Sequence, residues 1–374
     1  MRNLKILFTI IVSAVILFAC NQDKKSTDKT EVIKIGAILP LTGNIAYFGE
    51  YETRALKVAE KLFNNPDSTF QYELIYEDSK NDPKTAILAM NKLIQIDKVD
   101  FILTQMSGVS MSLAPIAKSN KIPLISLAMH PDFPQSSEYS YRVYESISQE
   151  GKVLGDYLID SNVDNISVVS IEDVWGEAAY ESFKDNFEKR GGKIVSYDRI
   201  SYSQSDYKTT IMKILGKNPK GIYLAAYGPL VNQFAKQLRE IDADIALYGN
   251  IGMSWTNILA SGHEWLNNSI MVMPNFMATN NSQIDFVKKY NELFEDDPNF
   301  ESSYTFDCFL LINKATRLSN RDEISLQDAL SKIKKFDGVN GKIYIDEYGD
   351  SQTDTIAIRQ FVNRELVTLL KYGI

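Results

Sequence analysis

Residues 101–133, FILTQMSGVSMSLAPIAKSNKIPLISLAMHPDF, read as strand, polar turn, helix, strand and polar turn. The apolar runs at 101–103 and 122–125 are rich in β-formers, and each gives way to small polar residues. Two parallel strands joined by a right-handed helical crossover put both carboxyl ends on one edge of a sheet. In open α/β sheets, ligands bind in the crevice outside those ends. Ser107 and Gly108 are thereby brought next to Ala128 and His130, about twenty residues further on. Unpaired backbone N–H groups at the start of the helix near Ser110 add a partial positive charge suited to a carboxylate. The stretch reads as a docking floor for a small anionic or zwitterionic molecule.

The same alternation continues on both sides. Upstream come a strand at 32–39, a turn at 40–44, and a helix marked by Phe48, Ala55, Leu56, Ala59 and Leu62. A strand at 72–77 follows, and Asp82-Pro83 has the form of an N-cap with proline in the first helical position. Downstream, a helix at 148–160 precedes a second series. It comprises strand 166–171, helix 176–190 stopped by Gly191-Gly192, strand 193–200, helix 206–216, strand 221–226, helix 230–241, and strands 245–249 and 269–273. Helical patterns at 282–295, 303–319 and 325–336 come next, and 341–346 with 355–361 read as a hairpin around Tyr348-Gly349-Asp350. The fold class is α/β, two doubly wound parallel-sheet lobes with a helical stretch and hairpin appended.

A chain of 374 residues is long for one domain, and 44% apolar with 24% charged residues is the balance of a globular protein. The first twenty residues are excluded from the fold: Arg2 and Lys5 open them, 6–18 is apolar, and Leu17-Phe18-Ala19-Cys20 closes them. This segment resembles a bacterial lipoprotein signal, which implies lipid on Cys20. The polar stretch 21–31 reads as a tether. Removing the leader's two basic residues takes the net charge from −8 to −10. With Lys and Arg dispersed, such a surface repels phosphate backbones and argues against nucleic acid. Cys308, in an apolar helix, is left without an intramolecular partner and reads as a buried thiol.

Enzyme signatures are missing. Residues 108–112 fall short of G-x-S-x-G, and there is no phosphate loop, no H-E-x-x-H and no dinucleotide glycine fingerprint. His130 and His263 are the only histidines, so neither a metal cluster nor a cofactor is expected. The acidic run 346–354 is explained by the turn of the hairpin.

The stretch VIKIGAILPLTGNIAYFGEYETRALKVAEKLFN resembles the opening strand, turn and first helix of type I periplasmic solute-binding proteins, in the branch that includes leucine/isoleucine/valine-binding proteins. YEDSKNDPKTAILAMNKLI, IAKSNKIPLIS, YRVYESISQEGKVLGDYLI and EDVWGEAAYESFKDNFEKRGGKIV carry the likeness onward, from residue 32 to the C-terminus. The resemblance implies two lobes joined by three hinge crossings, near 144–148, 274–279 and 337–340. Lobe 1 would hold 32–146 and 278–337, and lobe 2 would hold 147–277 and 338–374.

It also implies a ligand held by Ser107, Gly108, Ala128 and His130 on one side and by Trp175 and Tyr227 on the other, with Phe48 over the side-chain pocket. Three departures stand out. His130 replaces a small hydroxyl residue, Trp175 stands where tyrosine is frequent, and the acid expected near Asn250-Ile251-Gly252 for a ligand's amino group is absent. A buried ammonium without an anion is costly. Either another carboxylate serves, with Glu50, Glu172 and Asp173 near in sequence, or the ligand lacks the amine. Met106, Met253 and Trp255 read as core.

The function implied is that of a non-enzymatic, monomeric, extracytoplasmic lipoprotein. It would capture a small polar ligand (a branched-chain or other amino acid, or a related amide or carboxylate) for an ABC permease. The same fold would also suit a ligand-sensing receptor or a regulator of an envelope enzyme.

Overall fold

A computed structural model describes residues 30–373 apart from 65, 67, 275–280 and 353–354. The leader with Cys20, and the tether up to residue 29, lie outside the described residues, and Glu31 already belongs to the first strand.

Lobe 1 begins β1 (Glu31–Leu39), α1 (Ala46–Phe63), β2 (Phe70–Asp78), α2 (Pro83–Lys92), β3 (Phe101–Thr104), α3 (Ser107–Asn120), β4 (Leu124–Ser126) and β5 (Ser140–Arg142). Its five strands are parallel in the order β2-β1-β3-β4-β5. Helices cover both faces, so strands such as FILT are buried at every position. Asp82 caps α2 by accepting from the Thr85 amide at 2.8 Å, with Pro83 in the first turn, as the sequence indicates.

Past the crossing at 143–146, lobe 2 repeats the plan. It runs α4 (Ile147–Asp160), β6 (Asn165–Ile171), α5 (Val174–Lys189), β7 (Lys193–Ile200), α6 (Lys208–Leu215), β8 (Gly221–Ala225), α7 (Pro229–Ile241), β9 (Ala246–Gly249), α8 (Thr256–Ser261) and β10 (Ile270–Pro274). The order β7-β6-β8-β9-β10 reproduces that of lobe 1. Both lobes therefore have a switch point, between β1 and β3 and between β6 and β8, where successive crossovers leave in opposite directions. The second crossing, expected at 274–279, lies beyond Pro274 outside the described residues.

The chain continues with α9 (Asn281–Phe294), α10 (Phe300–Asp322) and α11 (Leu326–Lys332), of which α9 and α10 pack on α1. Then come β11 (Lys335–Gly338), β12 (Gly341–Ile345), β13 (Ser351–Gln352), β14 (Thr355–Val362) and β15 (Glu365–Gly373). Two local expectations are corrected here. The helix read over 325–336 ends at Lys332, and Lys335 and Phe336 open β11. The hairpin read from 341–346 and 355–361 does not form. Strand β12 pairs with β11 and β13 in a separate three-stranded sheet, while β14 lies antiparallel between β10 and β15 in lobe 2. Among the described residues of the stretch 338–374, those at 355–362 and 365–373 join the lobe 2 sheet.

Two buried polar anchors explain this rearrangement. Asp307 on α10 accepts from the amides of Val339 (2.6 Å) and Asn340 (3.1 Å) and from the Asn340 side chain (2.7 Å), which holds the β11–β12 turn. A Cβ on Gly338 would meet that carboxylate at 2.5 Å, so only glycine allows the approach. Arg142, 1% exposed, makes a two-pronged pair with Asp350 at 2.7 and 2.6 Å, tying β5 to the turn that enters β13.

Candidate functional site

The carboxyl ends of both sheets face one cavity of about 330 Å³ between the lobes. Lobe 1 contributes Phe48 from α1 and the segment 105–109 after β3. Lobe 2 contributes Asp173 and Trp175 after β6, Tyr202 after β7, Tyr227 after β8, and Ile251 and Gly252 after β9. Tyr144, in the crossing, and Glu301, in the first turn of α10, complete the wall.

Met106 holds φ 69° and ψ 124° as the residue before α3, a conformation that bulky L residues seldom adopt. No side chain caps the helix and its first turn has no acid. The first-turn amides of Ser107, Gly108 and Val109 are therefore left at the cavity wall, an arrangement that suits a carboxylate or carbonyl oxygen.

Of the seven residues singled out by sequence, Phe48, Ser107, Gly108, Trp175 and Tyr227 line the cavity and Ala128 and His130 do not. The backbone explains the difference. Arg142 donates to the His130 carbonyl at 2.8 Å and to the Ala128 carbonyl at 3.4 Å, turning both away, so Leu127 and Met129 face the cavity instead. Ser107 and His130 are neighbours, because the His130 amide donates to Ser107 Oγ at 3.2 Å. The imidazole lies in a shallow surface groove with Asp132, Val174 and Glu177, and burial pushes its pKa down. Trp175 donates its N–H to Met129 Sδ at 3.2 Å, a bond between the lobes. Its ring stands edge-on to Tyr227 at 5.1 Å.

Trp255, read as core, also reaches the cavity, edge-on to Phe48, and its buried N–H has no partner among the described residues. Met106 lines the cavity too, whereas Met253 is fully buried away from it.

The three acids named from sequence have different fates. Glu50 pairs with Arg54 and Glu172 with Arg199, both half exposed and outside the cavity lining. Asp173 does line it, but its oxygens are engaged: Oδ1 caps α5 through the Gly176 amide at 2.7 Å, and Oδ2 accepts from the Tyr227 hydroxyl at 2.5 Å. Burial pushes its pKa up, against those bonds. The loop at 250–252 is reached from beneath by Glu150, whose carboxylate accepts from the Ile251 amide at 3.5 Å.

Sequence reading missed Glu301. It is 2% exposed, accepts from Gln105 Nε2 at 2.9 Å and Tyr144 Oη at 3.2 Å, and burial lifts its pKa to about 8. Among the described residues there is no group of three or more side chains arranged to hold a metal.

A family model described as periplasmic binding protein matches residues 32–364. A Leu/Ile/Val-binding protein homolog of Brucella melitensis is 23% identical over 266 residues, 70% of each chain. Among solved structures, a leucine binding protein of Thermotoga maritima superposes with a TM-score of 0.82 at 21% identity, covering 91% of this chain and 99% of that one. A solute binding protein of an ABC transporter from Rhodopseudomonas palustris, in complex with 4-hydroxybenzoate, does so with a TM-score of 0.82 at 18% identity, covering 92% and 97%. These relatives are binding proteins and not enzymes, and their family works outside the cytoplasm. The chain belongs to the periplasmic binding protein family, with the type I two-lobed fold of its leucine/isoleucine/valine-binding branch.

Proposed function

We propose that this protein is the ligand-capturing component of an ABC importer, held at the membrane by lipid on Cys20 and acting as a monomer. The observation that carries the reading is the interlobe cavity, roofed and floored by the carboxyl ends of two parallel sheets, with the uncapped first turn of α3 at its wall. At about 330 Å³ it is not filled by its own side chains, which weighs against a purely regulatory role with a lost ligand site. The lining is apolar and aromatic, with Phe48, Trp175, Tyr227 and Trp255 around a few polar groups, as in small-molecule sites generally. The ligand is accordingly a small molecule with an apolar or aromatic body and a carboxylate or amide oxygen bound on Ser107, Gly108 and Val109. A leucine binding protein and a 4-hydroxybenzoate complex among the structural neighbours bracket that class.

The test is a thermal-shift screen of the full chain in detergent. The panel holds α-amino acids, their deaminated analogues, short amides and aromatic acids. A ligand that binds only the folded state, present at a hundred times its Kd, adds about 2.7 kcal/mol and should raise Tm by several degrees. If no member of such a panel raises Tm, the reading moves toward a signalling receptor with a different ligand.

A further inference from the structure

Glu301 stands out among the cavity-lining groups. It is a fully enclosed carboxyl on a ligand cavity, and the groups acting on it are Tyr144, Gln105 and Glu145, none of them a cation. A buried carboxyl normally has a basic partner or a full set of donors. Glu301 has a hydroxyl at 3.2 Å and one amide at 2.9 Å.

Its surroundings are short of donors. Gln105, 5% exposed and on the same cavity, spends its amide N–H on Glu301 and leaves its own carbonyl oxygen without a partner among the described residues. Glu52 is completely buried, and neither of its oxygens has a donor among the described residues. Asp173, the other acid on the cavity, is held by shorter bonds, from the Gly176 amide at 2.7 Å and the Tyr227 hydroxyl at 2.5 Å, against 2.9 and 3.2 Å for the donors to the two oxygens of Glu301.

We infer that Glu301, with the free carbonyl oxygen of Gln105, is the receptor for a cationic, hydrogen-bond-donating group of the ligand, an amine in its ammonium form. It would supply from lobe 1 the acid that lobe 2 lacks at residues 250–252. This rests on the reading of the chain as a small-molecule binding protein and narrows its ligand to amines, with the first turn of α3 taking any acceptor end. An ammonium placed there provides a donor for the Gln105 carbonyl oxygen and the cation that the Glu301 carboxylate lacks. It also favours the charged form of a carboxyl that burial otherwise holds neutral up to about pH 8.

The test uses the full chain in detergent and matched probes, followed by the fluorescence of Trp175 and Trp255 in the cavity wall. The pairs are L-leucine against 4-methylpentanoate and L-phenylalanine against 3-phenylpropanoate, with 2-phenylethylamine as an amine lacking a carboxylate. At pH 7 the amine-bearing members should bind at least tenfold more tightly than their deaminated partners. Glu301→Gln should abolish that preference, and Glu172→Gln, outside the cavity lining, should preserve it.

Tighter binding of the deaminated acids by the unmodified protein overturns the inference and leaves the proposed function standing. An amine preference that survives Glu301→Gln overturns it as well. Silence from every probe overturns both. The comparison within the unmodified protein is decisive on its own if Glu301→Gln does not fold.

Discussion

Glu301 shares a helical face with Tyr304, Thr305 and Cys308, and all four are buried. Glu52 likewise precedes Ala55 and Leu56 by one turn on the buried face of α1, and Glu150 lies between Ile147 and Leu154 on that of α4. An acid on an apolar stripe is a legible anomaly, since glutamate is seldom fully buried. It was hidden at 301 because an acid in a first helical turn is also what the helix dipole favours. The burial has a consequence for stability. Glu301 titrates near 8 when folded against an ordinary 4.5, and burial raises Glu52 in the same direction. The folded state keeps protons that the unfolded chain has released, so this contribution is complete below pH 4.5 and disappears as pH rises through 8. Each such group removes up to about 1.4 kcal/mol per pH unit inside the window. Asp82 and Asp164, held below the usual range by Thr85 and Lys220, act the other way only at lower pH. Without ligand, Tm is expected to be higher at pH 5.5 than at pH 8, and Glu301→Gln should flatten part of that slope. A Tm that rises over this range in scanning calorimetry would mean that the buried acids are ionised and paired.

Among the elements, those built from local pattern were readable and those built from distant anchors were not. The strand at 193–200 is found with the bounds that its apolar run and preceding Gly191-Gly192 indicate, because both signals sit within a few residues. Strands β12 and β14 have equally good strand patterns and a turn between them, yet they part company. What separates them is Asp307, some thirty residues upstream of the turn it binds, and Arg142, more than two hundred residues from Asp350. No local pattern encodes such pairings. Arg142→Ala would leave Asp350 without its partner and free the carbonyls of Ala128 and His130, at an expected cost of about 3 kcal/mol. Urea unfolding monitored by circular dichroism measures it, and a loss below ~1 kcal/mol would show that the pair is solvated. The α4–α5 contact is equally specific. A Cβ on Gly151 would meet the Phe183 amide nitrogen at 2.7 Å and the Ser182 carbonyl carbon at 2.8 Å, both backbone atoms that cannot turn aside. Gly151→Ala should therefore destabilise by about 1–3 kcal/mol despite alanine's better helix propensity. The same substitution at Gly108, where a Cβ would find only Val174 at 3.8 Å, should be nearly neutral for folding.

For the molecule as a whole, the two lobes meet across the cavity through side chains as well as through the crossings. Trp175 of lobe 2 donates to Met129 of lobe 1, and Phe48 of lobe 1 stands edge-on to Tyr227 at 6.3 Å and to Trp255. These contacts bridge the cleft from both sides of the cavity wall. Hinged proteins divide between open and closed states, and a ligand shifts the balance by as much as it prefers one of them. Side-chain contacts across the cleft favour closure before any ligand arrives. They thereby lower the conformational cost that the ligand must offset. The two-lobed plan was legible from the repeated strand–helix order, whereas these contacts were not, since they join residues from different sheets. Trp175→Ala removes both the bond to Met129 and the edge contact with Tyr227. The variant should populate the open state, with a larger radius of gyration by small-angle scattering when free and binding weaker on the order of tenfold, about 1.4 kcal/mol. Saturating ligand should bring its radius back to that of the unmodified protein. Weaker binding with an unchanged radius would instead mean that Trp175 acts only as part of the ligand wall and that the crossings alone set the closure.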